Sequence, residues 1–200
     1  MAQGRRVKLC VLPATGREFM GVRGLADDER TEHRAFVMAR HAAHGLLLLQ
    51  ATKKKKGIHY QLPGGRIDRD EVDCLGLSAA EEAAAVRELF EETGLDVRSS
   101  PQRLRRLSFA ADVQALLGTR AFFEIQLTDT DSVHLCGKTD GLSAPLTGEA
   151  DFWLRLSSEH TAFVFEQDLE RAAKAVEVHS GGKCSCALMA LSKSVDALLA

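Results

Sequence analysis

Apolar residues in this chain occur in short runs separated by polar segments. Two mostly apolar runs, at residues 34–40 and 45–51, flank the segment HAAH. Apolar runs joined by a short polar connection are typical of paired strands, so these two predict a hairpin. Residues 46–49 are four successive leucines. A strand that is apolar on both faces is typical of a position between two layers, which places the second run near the centre of a sheet.

The remaining pattern predicts strands alternating with helices. The alternation of strand and helix favours an α/β fold with a mixed sheet covered on both sides. We expect strands at 7–12, 121–127 and 152–156, helices at 166–176 and 184–200, a charged connection at 16–33 and a long polar loop at 128–148.

Residues 79–90 are almost all strong helix formers, so they predict a further helix. Ser78 is placed to begin it as the N-cap, and Glu81, three residues later, completes the pattern of a capping box. Gly94 is expected to end the helix in the left-handed conformation, with residues 95–97 continuing as a strand.

This helix carries an unusual concentration of carboxylates. Glu88, Glu91 and Glu92 are spaced at i, i+3 and i+4, so they share one face and are expected to converge. Three unneutralised carboxylates repel one another unless they point into water or bind a cation, and Mg²⁺ prefers oxygen ligands of this kind. Upstream, Gly64 and Gly65 allow a tight turn or a close approach to a ligand. A solvated surface helix is the simpler alternative.

These two segments resemble the signature of the Nudix hydrolase superfamily, G-x5-E-x7-R-E-U-x-E-E-x-G-U, where U is aliphatic. Residues 65–71 match its front half and residues 87–95 its back half. Fifteen residues lie between Glu71 and Arg87 where the signature has seven, so eight are extra. We expect the insertion at residues 72–77, as a loop ahead of the helix, and the participation of Glu71 stays open.

The resemblance implies a Nudix-type α/β/α sandwich and Mg²⁺-dependent hydrolysis of a pyrophosphate linkage in a nucleoside diphosphate derivative, with Mn²⁺ as a possible substitute. It implies that Glu88, Glu91 and Glu92 bind the metal, together with a backbone carbonyl at Gly65. Arg87, four residues before Glu91, is expected to orient a ligand carboxylate. In the catalytic set we include Arg87 and all three glutamates.

Three further strings resemble the asymmetrical diadenosine tetraphosphate hydrolases within that superfamily. They are LLLQA at 47–51, GIHY at 57–60 and RLSSEHTAF at 155–163, whereas residues 63–66 read PGGR where that subfamily has PKGH. The resemblance implies a dinucleoside polyphosphate substrate. The alternatives are a nucleoside triphosphate, nucleotide-sugar or RNA-cap pyrophosphatase, or a nucleotide- or RNA-binding module without catalysis.

Several residues outside the signature are candidates for the same site. Glu159 is expected to be an extra metal ligand or general base, with a surface glutamate as the alternative. Phe163 is a candidate to stack on adenine, with core packing as the alternative. Substrate-binding candidates are, in full, Arg66, Tyr60, Phe163, His59 and Lys56.

Composition narrows the possible partners. The 200 residues are 45% hydrophobic, enough for one core, so we expect a single domain over 1–200. A net charge of −2 argues against a surface built throughout for nucleic acid, so we expect a small nucleotide substrate. The lysine run at 53–56, with Arg103, Arg105 and Arg106, keeps a local RNA-binding patch open. Five scattered cysteines and the lack of a long apolar run favour the cytoplasm, with reduced thiols and no membrane contact. Cys184 and Cys186 are expected to be small packing residues.

Overall fold

The computed structural model describes residues 32–53, 57–131, 142–143 and 154–199. The predicted strand at 7–12, nearly all of the 16–33 connection, most of the 128–148 loop and Lys56 lie outside these residues. None of the described helices combines the length and the apolar character needed to cross a bilayer.

The elements alternate between strand and helix, as the sequence pattern predicts. The strands are β1 Arg34–His41, β2 Gly45–Lys53, β3 Gly57–Gln61, β4 Gly64–Arg66, β5 Arg105–Arg106, β6 Arg120–Leu127, β7 Leu142–Ser143, β8 Leu154–Arg155 and β9 His160–Glu166. The helices are α1 Arg69–Leu75, α2 Leu77–Thr93, α3 Ala111–Leu117, α4 Leu169–Ala175 and α5 Lys183–Leu199. Short 3-10 turns lie at Pro101–Arg103, Asp129–Asp131 and His179–Gly182.

The main sheet is mixed and splits along its centre. β1 and β2 form the predicted hairpin, but their register covers only the turn end, with His41 opposite Gly45. Beyond that point the inner edge of β1 pairs with β4 and that of β2 pairs with β3, both antiparallel. β6 runs parallel to β1 on its outer edge, and β9 runs antiparallel to β2. The chain from β3 to β4 therefore fills the split between the two central strands.

Both faces of the central strands are buried, which confirms the expected layered arrangement. Alternate residues of β1 and β2 pack against α2 on one face and against α3, α4 and α5 on the other. The four leucines at 46–49 divide equally between these two cores, and each is at most 1% exposed. Full burial of one leucine contributes about 1.5–3 kcal/mol, so this strand is a main source of stability.

Helix α2 begins earlier than predicted. It starts at Leu77 after Gly76, whose φ of 76° suits glycine, so Ser78 lies inside the helix and the N-cap assignment is wrong. Glu81 is also not a capping residue, because its buried carboxylate pairs with Arg106. The predicted end is confirmed: Gly94 has φ 74° and its N–H bonds to the carbonyl of Phe90 at 2.8 Å.

The expected loop at 72–77 is wrong, because most of it belongs to helix α1. This helix follows Asp68, whose N–H donates to Glu71 Oε2 at 3.0 Å, and it packs against α2. The inserted residues thus form a short helix that turns at Gly76 directly into the longer one.

Two other details differ from the sequence pattern. Residues 95–97 pair with no described strand; Leu95 and Val97 are buried in the core instead. The helix expected from residue 166 begins at Leu169, because Glu166 ends β9 and Asp168 accepts N–H groups of the first turn.

In α5, burial raises the pKa of the Cys184 thiol to about 12, so this thiol is a packing group and not a ready metal ligand.

Candidate active site

The glycine pair lies where the backbone of β4 runs closely against β1. Gly64 has φ 147°, and a Cβ placed there would lie 2.3 Å from the backbone oxygen of Ala35. The N–H of Gly64 donates to Glu92 Oε2 at 2.7 Å. Only glycine fits this position, and its bare amide fixes one carboxylate of α2.

Gly65 leaves room for a second carboxylate. A Cβ at this residue would lie 2.5 Å from both Cδ and Oε1 of Glu88, so the Glu88 side chain occupies the space that any larger residue would need. Glu88 and Glu92 are one helical turn apart and lie against successive glycines. Helix α2 and the glycine pair of β4 are therefore in close contact at these two positions.

Arg87 joins the carboxylates to the loop. Its Nη1 lies 2.7 Å from Glu88 Oε1 and 3.5 Å from Glu91 Oε2, while Nε donates to Glu71 Oε1 at 3.1 Å. Its Nη2 donates to the carbonyl of Arg66 at 3.0 Å. One guanidinium thus contacts Glu71, Glu88, Glu91 and the main chain after the glycine pair, and a fourth carboxylate, that of Asp68, lies 4.0 Å away. Glu71 belongs to the cluster despite the insertion.

The electrostatics of this cluster show opposing effects. Burial disfavours the charged form of Arg87, but hydrogen bonds to Glu71 and Glu88 outweigh it and raise the pKa of the guanidinium above its ordinary value. Burial also raises the pKa of the Glu88 carboxyl, against the lowering effect of the hydrogen bond from Arg87. Arg87 is therefore firmly charged, whereas the charge on Glu88 is only partly compensated.

The three carboxylates of α2 share a helix face, but they do not converge on a single point. Glu88 and Glu91 turn towards Arg87, and Glu92 turns towards Gly64. The Glu91 side chain is 56% exposed, so it offers oxygen ligands to solvent. A ligand could reach this face of the helix from outside.

Residues on β3 and β9 complete the surroundings of Glu92. His160 Nε2 lies 3.6 Å from Glu92 Oε1 and 2.7 Å from the amide nitrogen of Gln61. The other ring nitrogen, Nδ1, is hydrogen-bonded to Ser157 Oγ at 3.0 Å. The N–H of Ser157 in turn donates to the carbonyl of Glu92 at 3.2 Å.

Gln61 and Ser157 were not among the residues selected from the sequence, and His160 was considered only as a weaker candidate than Glu159. Their positions in the sequence could have indicated them, because Gln61 lies just before the glycine loop and the other two lie in the RLSSEHTAF string. Glu159, which was selected, is exposed in the turn beside His160. Arg66 is also exposed, and its guanidinium pairs with Glu32.

The aromatic residues proposed for adenine binding are not at this cluster. Phe163 is 0% exposed and packs edge-on against Phe165, so its ring faces are closed and the stacking assignment is wrong; the core-packing alternative holds. Tyr60 packs against the core on the α4 and α5 face, away from α2. His59 is buried, with Nδ1 3.1 Å from the carbonyl of Gly57 and its ring 6.2 Å from that of His179.

The suggested RNA-binding arginines are each engaged with an acidic partner. Arg103 donates to Asp131 at 2.7 and 2.8 Å, and Arg105 donates to Glu124 at 2.5 Å. Arg106 pairs with the buried Glu81. The three charges stabilise the fold locally and do not form an uncompensated basic patch.

The ligand chemistry of the cluster fits a hard divalent cation. Glu71, Glu88 and Glu91 contact the guanidinium of Arg87, and Glu92 lies one helical turn from Glu88 against Gly64, so four carboxylates surround one arginine and the glycine pair. All the side-chain ligand atoms on offer are oxygens, which Mg²⁺ and Mn²⁺ prefer. A bound divalent cation would offset the excess negative charge.

A family model described as the NUDIX domain matches residues 31–175. The chain therefore belongs to the NUDIX domain family and is a Nudix hydrolase. Membership implies hydrolysis of pyrophosphate linkages in nucleoside diphosphate derivatives, with small nucleotides as substrates and divalent metals in general use. No curated protein sequence matches the chain.

Solved structures with a similar arrangement include other Nudix proteins. A C. elegans Ap4A hydrolase in a binary complex is 17% identical with a TM-score of 0.45, over 84% of this chain and 99% of that one. The M. smegmatis Nudix hydrolase RenU is 15% identical with a TM-score of 0.47, over 84% and 87%. A MutT protein from Methanosarcina mazei is 15% identical with a TM-score of 0.38, over 74% and 85%.

Proposed function

We propose that this enzyme hydrolyses a dinucleoside polyphosphate, such as diadenosine tetraphosphate, with Mg²⁺, and with Mn²⁺ as a substitute. The observation that carries the catalytic part is the cluster of four carboxylates around Arg87 and the glycine pair. Phosphates are strongly negative, so a negative cluster can meet them only through a cation. A site of this composition is suited to metal-assisted attack of water on phosphorus.

Glu88, Glu91 and Glu92 would hold the metal, with the Gly65 carbonyl as a further oxygen ligand. When bound, the ion supplies neutralisation of phosphate charge and a lowered pKa of a coordinated water. Arg87 holds Glu88 and Glu91 in place through the two contacts of its Nη1, at 2.7 and 3.5 Å. The N–H of Gly64 fixes the orientation of Glu92. These positioning contacts fix the ligand carboxylates before substrate binds.

The choice of a dinucleoside polyphosphate rests on the three sequence strings. They lie mainly on β2, β3 and β9, and β2 pairs with both of the others, so the similar segments form one continuous part of the sheet. Within this proposal Arg66 contacts a phosphate, because its exposed guanidinium follows the glycine pair. Glu159 is the proposed general base or extra metal ligand, since it lies in the turn that leads to His160.

The substrate is tested by incubating the full chain and Mg²⁺ with a panel of dinucleoside polyphosphates, nucleoside triphosphates, nucleotide sugars and capped RNA. We expect diadenosine tetraphosphate to be cleaved to ATP and AMP, with little turnover of simple triphosphates. Faster cleavage of another class would replace the substrate while keeping the enzyme class. Binding of nucleotides without cleavage of any member would favour the non-catalytic alternative.

The site is tested by Glu91→Gln, which keeps the side-chain shape and removes one negative ligand. We expect nucleotide binding and the melting temperature to be retained, and Mg²⁺-dependent turnover to fall about 100-fold or more, because a lost metal contact weakens transition-state stabilisation by several kcal/mol. Glu82→Gln is the matched control. Glu82 is exposed on the same helix, nine residues earlier and half a turn round. Equal turnover in the two variants would refute the assignment of the site.

The cytoplasm stays the proposed location, although the expectation of reduced thiols is wrong for Cys74, which is disulfide-bonded. The single domain over 1–200 likewise stays a prediction, as the family match covers residues 31–175.

A further inference from the structure

A second cluster of metal-ligating side chains lies at the opposite end of β1. His41 ends β1, His44 precedes β2 in the hairpin turn, and Asp129 begins the 3-10 turn after β6. β1 and β6 are parallel and His41 is in register with Leu127, so the hairpin turn and the end of β6 meet at one edge of the sheet. Gly65 pairs with Ala35, six residues before His41, which separates the two clusters by about 20 Å.

The three side chains are already close together. His41 Nε2 lies 3.1 Å from Asp129 Oδ1, and the rings of His41 and His44 stack with their centroids 4.4 Å apart. One ligand atom from each residue lies within 4.8 Å of the others. Atoms bound to one tetrahedral ion at about 2.0–2.1 Å are about 3.3 Å apart, so the His41–Asp129 pair already has the required spacing. His44 must move closer and rotate out of its stack with His41 to direct a nitrogen at the same ion.

Neighbouring contacts fix these residues. Phe165 packs against both rings, with centroid distances of 6.2 Å to His41 and 5.6 Å to His44. The turn that carries Asp129 is held by Asp131, which accepts two hydrogen bonds from Arg103 and one from the N–H of Thr128. Asp131 is thus committed to the turn, while the Asp129 side chain is 92% exposed and directed at His41.

We propose that His41, His44 and Asp129 form a binding site for a divalent transition metal, with Zn²⁺ the best match. Two imidazoles and one carboxylate are a common protein ligand set for zinc, with water in the fourth position. Mg²⁺ takes oxygen ligands, so this site and the carboxylate cluster on α2 select different ions. The bound ion would join the hairpin turn to the end of β6.

The protons can be accounted for in this site. The N–H of Ala43 lies 3.3 Å from His41 Nδ1, so Nδ1 accepts there and Nε2–H donates to Asp129. A metal bound at Nε2 takes the place of this proton, which moves to Nδ1 of the same ring. The hydrogen bonds from Ala43 to Nδ1 and from Nε2 to Asp129 are both given up, and in their place Nε2 and the Asp129 carboxylate each bind the ion.

Solvent reaches the site directly, because the Asp129 side chain is 92% exposed. A cavity of about 410 Å³ also opens beside His41. Its lining is mostly polar and consists of Arg40, His41, Ala42, Gly45, Gln126 and Gln167.

The test measures Zn²⁺ binding to the full chain by titration calorimetry, with excess Mg²⁺ present to occupy the carboxylate cluster. We expect one high-affinity Zn²⁺ per chain and a rise in melting temperature with Zn²⁺. Asp129→Asn and His44→Ala should each weaken Zn²⁺ affinity at least about 100-fold, since even outer contacts of metal ligands change affinity 10–100-fold. Asp129 is exposed and His44 lies in the hairpin turn, so neither substitution alters the core. Circular dichroism checks that both variants are folded.

Two control variants locate the ion. Asp112→Asn removes an exposed carboxylate of α3, and Glu91→Gln alters the carboxylate cluster; both should bind Zn²⁺ as the wild type does. Asp129→Asn should keep wild-type turnover with Mg²⁺, because Asp129 lies at the far edge of the sheet. Unchanged Zn²⁺ affinity in Asp129→Asn, loss of Zn²⁺ binding in Glu91→Gln, or no Zn²⁺ binding at all would overturn the proposal.

Discussion

Alanine substitution at the two adjacent glycines of the β4 strand should separate catalysis from stability. Gly65→Ala is expected to remove most turnover and leave the protein folded, whereas Gly64→Ala is expected to destabilise it severely. The two substitutions add the same methyl group one residue apart. They differ in what that methyl group meets.

At Gly65 the methyl group meets only the end of a flexible side chain. The new Cβ would lie 2.5 Å from Cδ and Oε1 of Glu88. An unstrained contact requires about 3.5 Å, so the carboxylate must move about 1 Å, away from its 2.7 Å bond with Arg87. Gly65 is not among the glycines with positive φ, so alanine fits its backbone and reduces the entropy of the unfolded chain by the equivalent of about 0.4–1 kcal/mol.

The net change in folding free energy at Gly65 is therefore small. The weakened bond between Glu88 and Arg87 costs about 1–2 kcal/mol, and the entropic gain offsets part of it. We expect a loss of about 1 kcal/mol, which is about 2–4 °C in Tm for a domain of this size. The catalytic effect is larger, because a misplacement of 1 Å can reduce a rate about 100-fold.

At Gly64 the methyl group meets backbone atoms that cannot rotate away. The new Cβ would lie 2.3 Å from the carbonyl oxygen of Ala35 and 2.7 Å from Cα of Phe36, and the φ of 147° adds strain for any residue with a side chain. Overpacking and backbone strain together cost about 3 kcal/mol or more, or about 6–12 °C in Tm.

The assay pairs thermal unfolding with Mg²⁺-dependent turnover of the best substrate in the nucleotide panel. Gly65→Ala should unfold within about 4 °C of the wild type and turn over about 100-fold more slowly. Wild-type turnover in this variant would show that the position of Glu88 does not matter for the reaction. Equal destabilisation at both glycines would refute the distinction between side-chain and backbone contacts.

Two further predictions concern other contacts of the described fold. His160→Ala should raise the Mg²⁺ concentration for half-maximal turnover about 10-fold, because it removes the neighbour of Glu92; an unchanged Mg²⁺ activation curve would contradict this. Asp131→Asn should reduce stability at pH 7 by about 1 kcal/mol. The Arg103 hydrogen bonds lower the pKa of Asp131, so this contribution is complete above its unfolded pKa, near 3.8, and is lost as the pH falls through the lower folded value. Urea unfolding of both proteins from pH 7 to pH 2 should therefore converge at the acid end, and a constant difference would argue against it.

The sequence alone was sufficient to predict features that depend on a single segment of the chain. The face shared by Glu88, Glu91 and Glu92 follows from helix periodicity, and the end of α2 follows from the left-handed conformation of Gly94. The leucines at 46–49 were predicted to be buried on both faces because four consecutive apolar residues leave neither side of a strand polar.

Features that depend on tertiary packing could not be predicted from the sequence. From its sequence position, the Phe163 ring could either stack on a ligand or pack in the core. Only the pairing of β9 with β2 shows that the ring is buried. The direction of the carboxylates also depends on distant partners, since Glu92 turns towards Gly64 and His160 rather than towards Glu88. Spacing gives the face of a helix; the neighbours decide where each side chain points.

The insertion is the clearest case of a sequence irregularity that the fold absorbs. Eight extra residues in the signature suggested that Glu71 is displaced, yet α1 and the turn at Gly76 return it to Arg87 at 3.1 Å. The seven residues of α1 span only about 10 Å as a helix, and they pack against α2 instead of extending from it. Because Glu71 also accepts the N–H of Asp68, the same carboxylate fixes the start of α1 and binds the guanidinium. The inserted segment is therefore held by the residue that the signature requires at that place, and the charge balance around Arg87 is kept.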